Sequence, residues 1–142
     1  MSKRRDVFVT ACPATVGAWN DLSPVLSAWL EGEIASPKAR RAFLLAVEEM
    51  FVNIAFYAYS AEPNSGVEVT GRRQDGRVVV TLVDEGAPFD PLSRPMPNPG
   101  SLGDHVVPGG WGIYIARQSS DGMCYTRQGE RNTLEIYKNV ED

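Results

Sequence analysis

The segment from Ala42 to Tyr59 constrains this chain most, because it is apolar at nearly every position and yet carries polar side chains at helical spacing. Glu49 and Asn53 lie four residues apart, so a helix places both on one face. A carboxylate that leaves water without a partner loses much of its solvation free energy. Something polar must therefore meet this face, and a metal ion and a water molecule are the first candidates.

Composition limits the classes of protein to which such a site can belong. The chain has 142 residues, 43% of them apolar, which predicts one domain spanning residues 1–142. It has 14 Lys and Arg against 18 Asp and Glu, so the basic surface that binds nucleic-acid phosphates is not expected. No apolar run is long enough for a signal peptide or a membrane helix, which predicts a cytoplasmic protein without a membrane partner. Cys12 and Cys124 are far apart, so neither a disulfide framework nor a thiolate metal site is indicated.

Hydrophobic periodicity and turn residues divide most of the chain into helices and strands. The run at 77–84 is apolar at almost every position, which predicts a central strand. Pro24 interrupts an amphipathic helical pattern and predicts a kink or break there. In chain order, the pattern predicts a strand at 5–11, helical structure at 16–30, a long helix at 37–59, a hairpin of strands 67–73 and 77–84, a helix at 111–120, and a hairpin of strands 123–128 and 133–138.

Residues 86–110 have no periodicity and contain six of the ten prolines. A long irregular segment inside a compact domain is usually either a disordered linker or a functional lid. A linker would leave the last thirty or so residues as a unit too small to fold alone. The sequence therefore predicts a lid at about 86–110.

Three polar or glycine-rich clusters follow one another along the chain. The first is Glu49-x-x-x-Asn53 on the long helix. The second is Asp84-x-Gly86-x-Pro88, directly after the central strand, and the third is Gly109-Gly110-Trp111-Gly112 at the start of the next helix. Each cluster alone has an ordinary structural explanation, such as a turn or a flexible helix entry, but their order and the intervening lid point to one site.

The three clusters belong to a longer set of segments, which are residues 46–59, 84–91 and 109–114, followed downstream by Asp121, Tyr125 and residues 132–134. With this set of segments, the chain resembles the nucleotide-binding domain of the GHKL superfamily. That superfamily includes gyrase, Hsp90, histidine kinases and MutL. More narrowly, the sequence is similar to the stand-alone anti-sigma-factor serine-protein kinases. The resemblance implies an α/β fold, a two-layer sandwich of a mixed, mostly antiparallel sheet with helices on one face, known as the Bergerat ATP-binding fold.

The resemblance also implies a role for each residue of the site. Asn53 would hold a Mg²⁺ ion that bridges the nucleotide phosphates, and Glu49 would be the general base. Asp84 would accept a hydrogen bond from the exocyclic amine of adenine, which guanine lacks at that position. The remaining expected nucleotide-binding residues lie around the base, at Gly86, Pro88 and Thr133, or at the phosphates, at Gly109, Gly110 and Gly112.

The implied cofactors are ATP and Mg²⁺, and the implied function is that of an anti-sigma factor and serine-protein kinase. Such a protein sequesters a sigma factor, phosphorylates a serine of an anti-anti-sigma partner, and acts as a homodimer. Tyr57 and Pro108 occupy positions that are often basic in this family, which leaves phosphotransfer open. One alternative is a nucleotide-dependent partner-switching protein that transfers no phosphate. Another is a detached ATPase of the histidine-kinase type.

Overall fold

In the computed structural model, the residues described are 5–58, 66–88, 90–93 and 110–140. Most of the segment at 86–110 that was predicted to be a lid therefore lies outside the described residues. The elements in chain order are strand β1 (Arg5–Pro13), a 3₁₀ turn (Val16–Ala18), helices α1 (Trp19–Glu33) and α2 (Pro37–Asn53), a π-helical turn (Ile54–Ala58), strands β2 (Gly66–Gln74) and β3 (Arg77–Asp84), a 3₁₀ turn (Pro91–Ser93), helix α3 (Gly110–Ser119), and strands β4 (Gly122–Gln128) and β5 (Arg131–Asn139).

The five strands form one sheet in the order β1-β2-β3-β5-β4, and each of its strand pairs is antiparallel. The turn between β2 and β3 consists of Asp75 and Gly76, both with positive φ, as a tight hairpin requires. The predicted central position of β3 is confirmed. The fold class is also confirmed, because helices pack on one face of this sheet to make a two-layer α/β structure.

The hydrophobic core lies between the helices and one face of the sheet. The alternating residues Val78, Val80 and Leu82 of β3 are fully buried there, consistent with a strand at the centre of a covered sheet. The helices contribute the apolar stripes that their periodicity predicted. The largest fully buried side chains are Phe43, Phe51, Leu26, Leu30, Met50, Leu82, Ile113 and Ile136.

Pro24 does not break α1, contrary to the expectation from the sequence. The helix is continuous from Trp19 to Glu33 and includes Pro24. Proline removes only the amide that would have bonded to the carbonyl of Asn20, and both residues are exposed. Leu22 and Leu26 are buried on the opposite side, so packing holds the helix together through the proline.

The long helix also ends differently from the prediction of 37–59. Ser36 caps α2, because its hydroxyl accepts a hydrogen bond from the Ala39 amide at 3.1 Å. The α-helical pattern stops at Asn53, and the chain then widens into a π-helical turn through Ala58. Tyr59 lies outside the described residues. Asn53 is therefore at the end of an α-helix, and π-helical turns are often found at functional sites.

Trp29 of α1 fixes the packing of the helix against the sheet. Its ring lies over the backbone of Gly71 in β2 and stacks in a tilted arrangement against Phe8, with the ring centroids 6.1 Å apart. A Cβ at position 71 would be 2.7 Å from the Trp29 ring. Gly71 is therefore a packing requirement in the interior of a strand, where glycine is otherwise unfavourable.

We expect Gly71→Ala to destabilise the protein by about 1–3 kcal/mol, because the new methyl group overpacks the contact with Trp29. Urea unfolding gives this difference in the free energy of unfolding. The matched control is Gly32→Ala in α1, where no atom lies within 4 Å of the added Cβ. This control should be neutral or stabilising by up to about 1 kcal/mol. Equal stability of Gly71→Ala and the wild type would contradict the packing described here.

Candidate functional site

A small pocket opens where the end of α2, the end of β3 and the β4–β5 hairpin meet. Asn53 and Asp84, which the sequence analysis assigned to one site, both line it. The buried end of β3 thus faces the end of the helix that carries Glu49 and Asn53. The lining residues are Met50, Asn53, Ile54, Asp84, Pro91, Tyr125, Asn132 and Leu134.

Asn53 presents a buried oxygen that is available to a ligand. Its Nδ2 donates to the carbonyl of Glu49 at 2.9 Å, whereas its Oδ1 is buried without a hydrogen-bond partner among the described residues. Buried polar atoms are rarely left unpaired, so Oδ1 marks a position for an external group. A neutral amide oxygen suits Mg²⁺, which often keeps waters and phosphate oxygens as its other ligands. In the described ranges there is no cluster of three His, Cys, Asp or Glu side chains that could hold a metal ion.

Glu49 lies against the first turn of α3. A Cβ at Gly112 would be 2.5 Å from Glu49 Oε1 and 3.6 Å from Asn53 Nδ2, so only glycine allows this approach. Gly110 is the first residue of α3, and the free amides of a helix N-terminus attract anions. Burial, and next the charge of Glu48, raise the pKa of Glu49. A half-buried carboxylate with a raised pKa beside an anion-binding helix end suits a general base for a phosphate reaction.

Asp84 is a buried carboxylate at the last position of β3. Its Oδ1 accepts hydrogen bonds from the Gly86 amide at 2.9 Å and from Asn132 Nδ2 at 2.8 Å. Burial raises the pKa of Asp84, and the bonds from Asn132 and Gly86, together with the charge of Arg127, act in the opposite direction. Both hydrogen bonds that the described residues give Asp84 end on Oδ1. Oδ2 therefore remains to accept a hydrogen bond from a ligand in the pocket.

Asn132 is a site residue to which the sequence analysis gave no role. It lies opposite Asp84 on the neighbouring strand and is also buried. Its Nδ2 also bonds to the carbonyl of Ala87 at 3.0 Å, and its Oδ1 accepts a hydrogen bond from the Tyr125 hydroxyl. A polar residue among the apolar positions of β5 was the available signal, but only the pairing of β3 with β5 connects it to Asp84.

Thr133 is not brought into the pocket. It pairs with Val83, one position before Asp84, so its side chain projects from the opposite face of the sheet. Asn132 is the residue of β5 that faces Asp84. The structure therefore does not bring Thr133 next to Asp84, because a shift of one residue moves a side chain to the other face of the sheet.

The other predicted residues are divided between the site and its surroundings. Gly86 is buried next to Asp84, and its carbonyl accepts a hydrogen bond from Arg127 at 2.7 Å. Pro88 is exposed and does not line the pocket, whereas Pro91 does. Gly109 lies outside the described residues.

The profile of the family described as "Histidine kinase-like ATPase domain" matches residues 12–138. The chain belongs to this family. The resemblance stated from the sequence is thereby confirmed, and membership implies ATP binding and an activity of the general kinase or ATPase type. The match includes both sides of the pocket, from α2 to the β4–β5 hairpin.

Two further similarities are more specific. The chain is 26% identical over 140 residues to the serine/threonine-protein kinase BtrW of Bordetella bronchiseptica, covering 96% of this chain and 94% of that protein. The crystal structure of the RsbU and RsbW domains of Rv1364c from Mycobacterium tuberculosis superposes with a TM-score of 0.67 at 15% identity, over 96% of this chain. The chain spans about 33% of that structure's length, and the likeness concerns the fold.

The helices of the described ranges are all too short or too polar to cross a membrane. Cys12 and Cys124 are both free thiols.

Glu49→Gln should stabilise the ligand-free protein at neutral pH. The pKa of Glu49 is higher in the folded protein than in the unfolded chain, so protonation of Glu49 stabilises the folded state. This stabilisation is fully present below the unfolded pKa and is lost as the pH rises through the folded pKa. Glutamine mimics the protonated form, so its advantage should appear at pH 7 and disappear near pH 4. Thermal unfolding across this range measures it.

Glu130→Gln, in the exposed turn between β4 and β5, is the matched control and should change stability little at either pH. A Glu49→Gln protein that is less stable than the wild type at pH 7 would show that ionised Glu49 has a stabilising partner.

Proposed function

We propose that this protein is an ATP-dependent serine-protein kinase that also acts as an anti-sigma factor. The observation that carries the proposal is the convergence of two polar groups in one pocket, the unpaired Oδ1 of Asn53 and the carboxylate of Asp84. Glu49, one turn before Asn53 on α2, lies against the first turn of α3. This arrangement offers separate positions for a purine, a phosphate chain and a proton acceptor.

The base of the nucleotide would bind at the Asp84 end of the pocket. Oδ2 of Asp84 would accept a hydrogen bond from the exocyclic amine of adenine, and guanine would present a carbonyl oxygen to the same carboxylate. Met50, Ile54 and Leu134 supply apolar contacts for a flat ring. The pocket would therefore select ATP over GTP by pairing a buried acceptor with a donor.

The phosphates would extend toward the other end of the pocket, where Asn53 faces the first turn of α3. Gly110 and Gly112 would direct backbone amides and the positive helix end toward phosphate oxygens. Asn53 Oδ1 would be the protein ligand of Mg²⁺, which neutralises phosphate charge when bound. Gly112 also keeps this end open, because any larger residue would displace Glu49.

Glu49 would act as the general base. As the oxygen of a substrate serine attacks the γ-phosphorus, the hydroxyl proton passes to the Glu49 carboxylate, the bond to the β–γ bridging oxygen breaks, and ADP leaves. The raised pKa of Glu49 makes it a better proton acceptor than an ordinary carboxylate, provided that it is ionised.

The identity of the partners rests on the resemblance of the sequence to the anti-sigma-factor serine-protein kinases, and the similar proteins support the kinase part of it. BtrW is named a serine/threonine-protein kinase, and the matched structure contains an RsbW domain. We therefore propose that a sigma factor and a serine-containing anti-anti-sigma protein are the two partners, and that the kinase is a homodimer. The lid at 86–110 and the single domain at 1–142 stay predictions.

Phosphotransfer can be tested by incubating the purified chain with γ-³²P-ATP, Mg²⁺ and candidate partner domains. We expect label on a serine of the partner. Glu49→Gln should reduce the rate of labelling by about 10²- to 10⁴-fold, the usual contribution of a general base. The affinity for ATP should change little, because Glu49 is placed to act on the attacking hydroxyl.

Glu130→Gln is again the control and should label the partner at the wild-type rate, since it lies on an exposed turn. ATP-dependent association of a partner without any label would instead support the partner-switching protein that transfers no phosphate. Label at a histidine of a partner protein would instead support a detached ATPase of the histidine-kinase type.

Asp84→Asn should weaken ATP binding by about tenfold or more, because an amide donor can replace the acceptor that faces the adenine amine. The ratio of the affinity for ATP to the affinity for GTP should decrease at the same time. Isothermal titration with both nucleotides measures these changes. The control is Asp75→Asn in the β2–β3 turn, where asparagine tolerates the positive φ. Unchanged ATP affinity in Asp84→Asn would disprove the adenine assignment.

A further inference from the structure

The side chain of Asn132 makes more hydrogen bonds than any other residue of the pocket. Its Nδ2 donates to Asp84 Oδ1 at 2.8 Å, to the Ala87 carbonyl at 3.0 Å and to the Gly86 carbonyl at 3.3 Å. Its Oδ1 accepts from the hydroxyl of Tyr125. One buried amide thus joins strand β5 to the last residue of β3 and to the loop that follows it.

These contacts fix the orientation of the Asn132 amide. Three carbonyl or carboxylate oxygens surround one end, which must therefore be the NH₂ group, and a hydroxyl donor meets the other end. A rotation by 180° would point Oδ1 at three acceptors, which is unfavourable in a buried site. The Asn132 amide consequently has one orientation, and its hydrogen bonds hold the neighbouring polar groups in place.

The consequence for Asp84 is that its two oxygens are not equivalent. Asn132 and the Gly86 amide both bond to Oδ1, and Arg127, directly opposite Asn132 on β4, holds the Gly86 carbonyl at 2.7 Å. The carboxylate plane is fixed by two bonds to one oxygen. The second oxygen accepts no hydrogen bond from the described residues, and Asp84 lines the same pocket as Tyr125 and Leu134.

We propose that Asn132 is a positioning residue that determines nucleotide specificity, by saturating Asp84 Oδ1 and aiming Oδ2 at the amine of the bound base. The inference rests on the proposed function, in which Asp84 reads adenine. Asn132 itself need not touch the nucleotide. Loss of the Asn132 side chain should therefore weaken the hydrogen bond between the purine amine and Asp84, and should leave the rest of the nucleotide affinity unchanged.

The test compares two ligands that differ only in that amine, ADP and purine riboside 5′-diphosphate, so that no phosphate transfer can occur. Binding of each is measured by isothermal titration with Mg²⁺. The wild type should prefer ADP by about 10- to 100-fold, which corresponds to one hydrogen bond to a charged acceptor. In Asn132→Ala the preference should fall to within about threefold, while the affinity for the purine analogue stays near the wild-type value.

Asn132→Ser provides a second variant if removal of the whole side chain prevents folding. Its hydroxyl has one hydrogen and can donate to only one of the three acceptors at a time, so the preference for ADP should again drop strongly. The matched control is Asn139→Ala, an exposed asparagine at the far end of the same strand, which should keep the full preference. A merely structural role of Asn132 predicts equal weakening of both ligands.

The outcomes separate the inference from the function on which it rests. A wild-type protein that binds both ligands equally would overturn the adenine assignment, and the role of Asn132 with it. A wild type that prefers ADP, together with a folded Asn132 variant that keeps the same preference, would overturn the role of Asn132 alone. Equal weakening of both ligands in the variant would also overturn it.

Discussion

The site depends on a carboxylate, Asp84, that the sheet buries at the end of its central strand. A buried carboxylate is unfavourable unless hydrogen bonds replace water, and here Asn132 and the Gly86 amide supply them. Because these donors come from β5 and from the loop after β3, the sheet and the loop must be correctly assembled before the carboxylate is satisfied. The same interaction shapes the pocket, since both of these hydrogen bonds end on one carboxylate oxygen of a residue that lines it.

The opposite end of the pocket is organised by the end of α2. The helix widens into a π-helical turn directly after Asn53, and the Asn53 amide bonds back to the carbonyl of Glu49. This leaves Oδ1 buried and unpaired, while Gly112 lets the first turn of α3 approach Glu49. In the proposed function, the end that would bind the purine and the end that would bind the phosphates are thus built from different elements, and both would be needed to hold a nucleotide in one orientation.

Local sequence signals predicted most of the fold because they report short-range physics. The Asp75-Gly76 turn, the Ser36 cap and the apolar run of β3 each specify a conformation within a few residues, and each is found. The prediction of a kink or break at Pro24 was wrong, because the packing of Leu22 and Leu26 outweighs one missing hydrogen bond.

The sequence alone determined that Glu49 and Asn53 share a helical face and that Asp84 ends a central strand, since spacing and periodicity act within one element. It could not decide between Thr133 and Asn132, because that choice depends on how β3 and β5 align across about fifty residues of intervening chain. Nor could it show that Gly112 touches Glu49. Only the tertiary structure decided these contacts, because pairing register and helix approach are set by packing among elements that are distant in the chain.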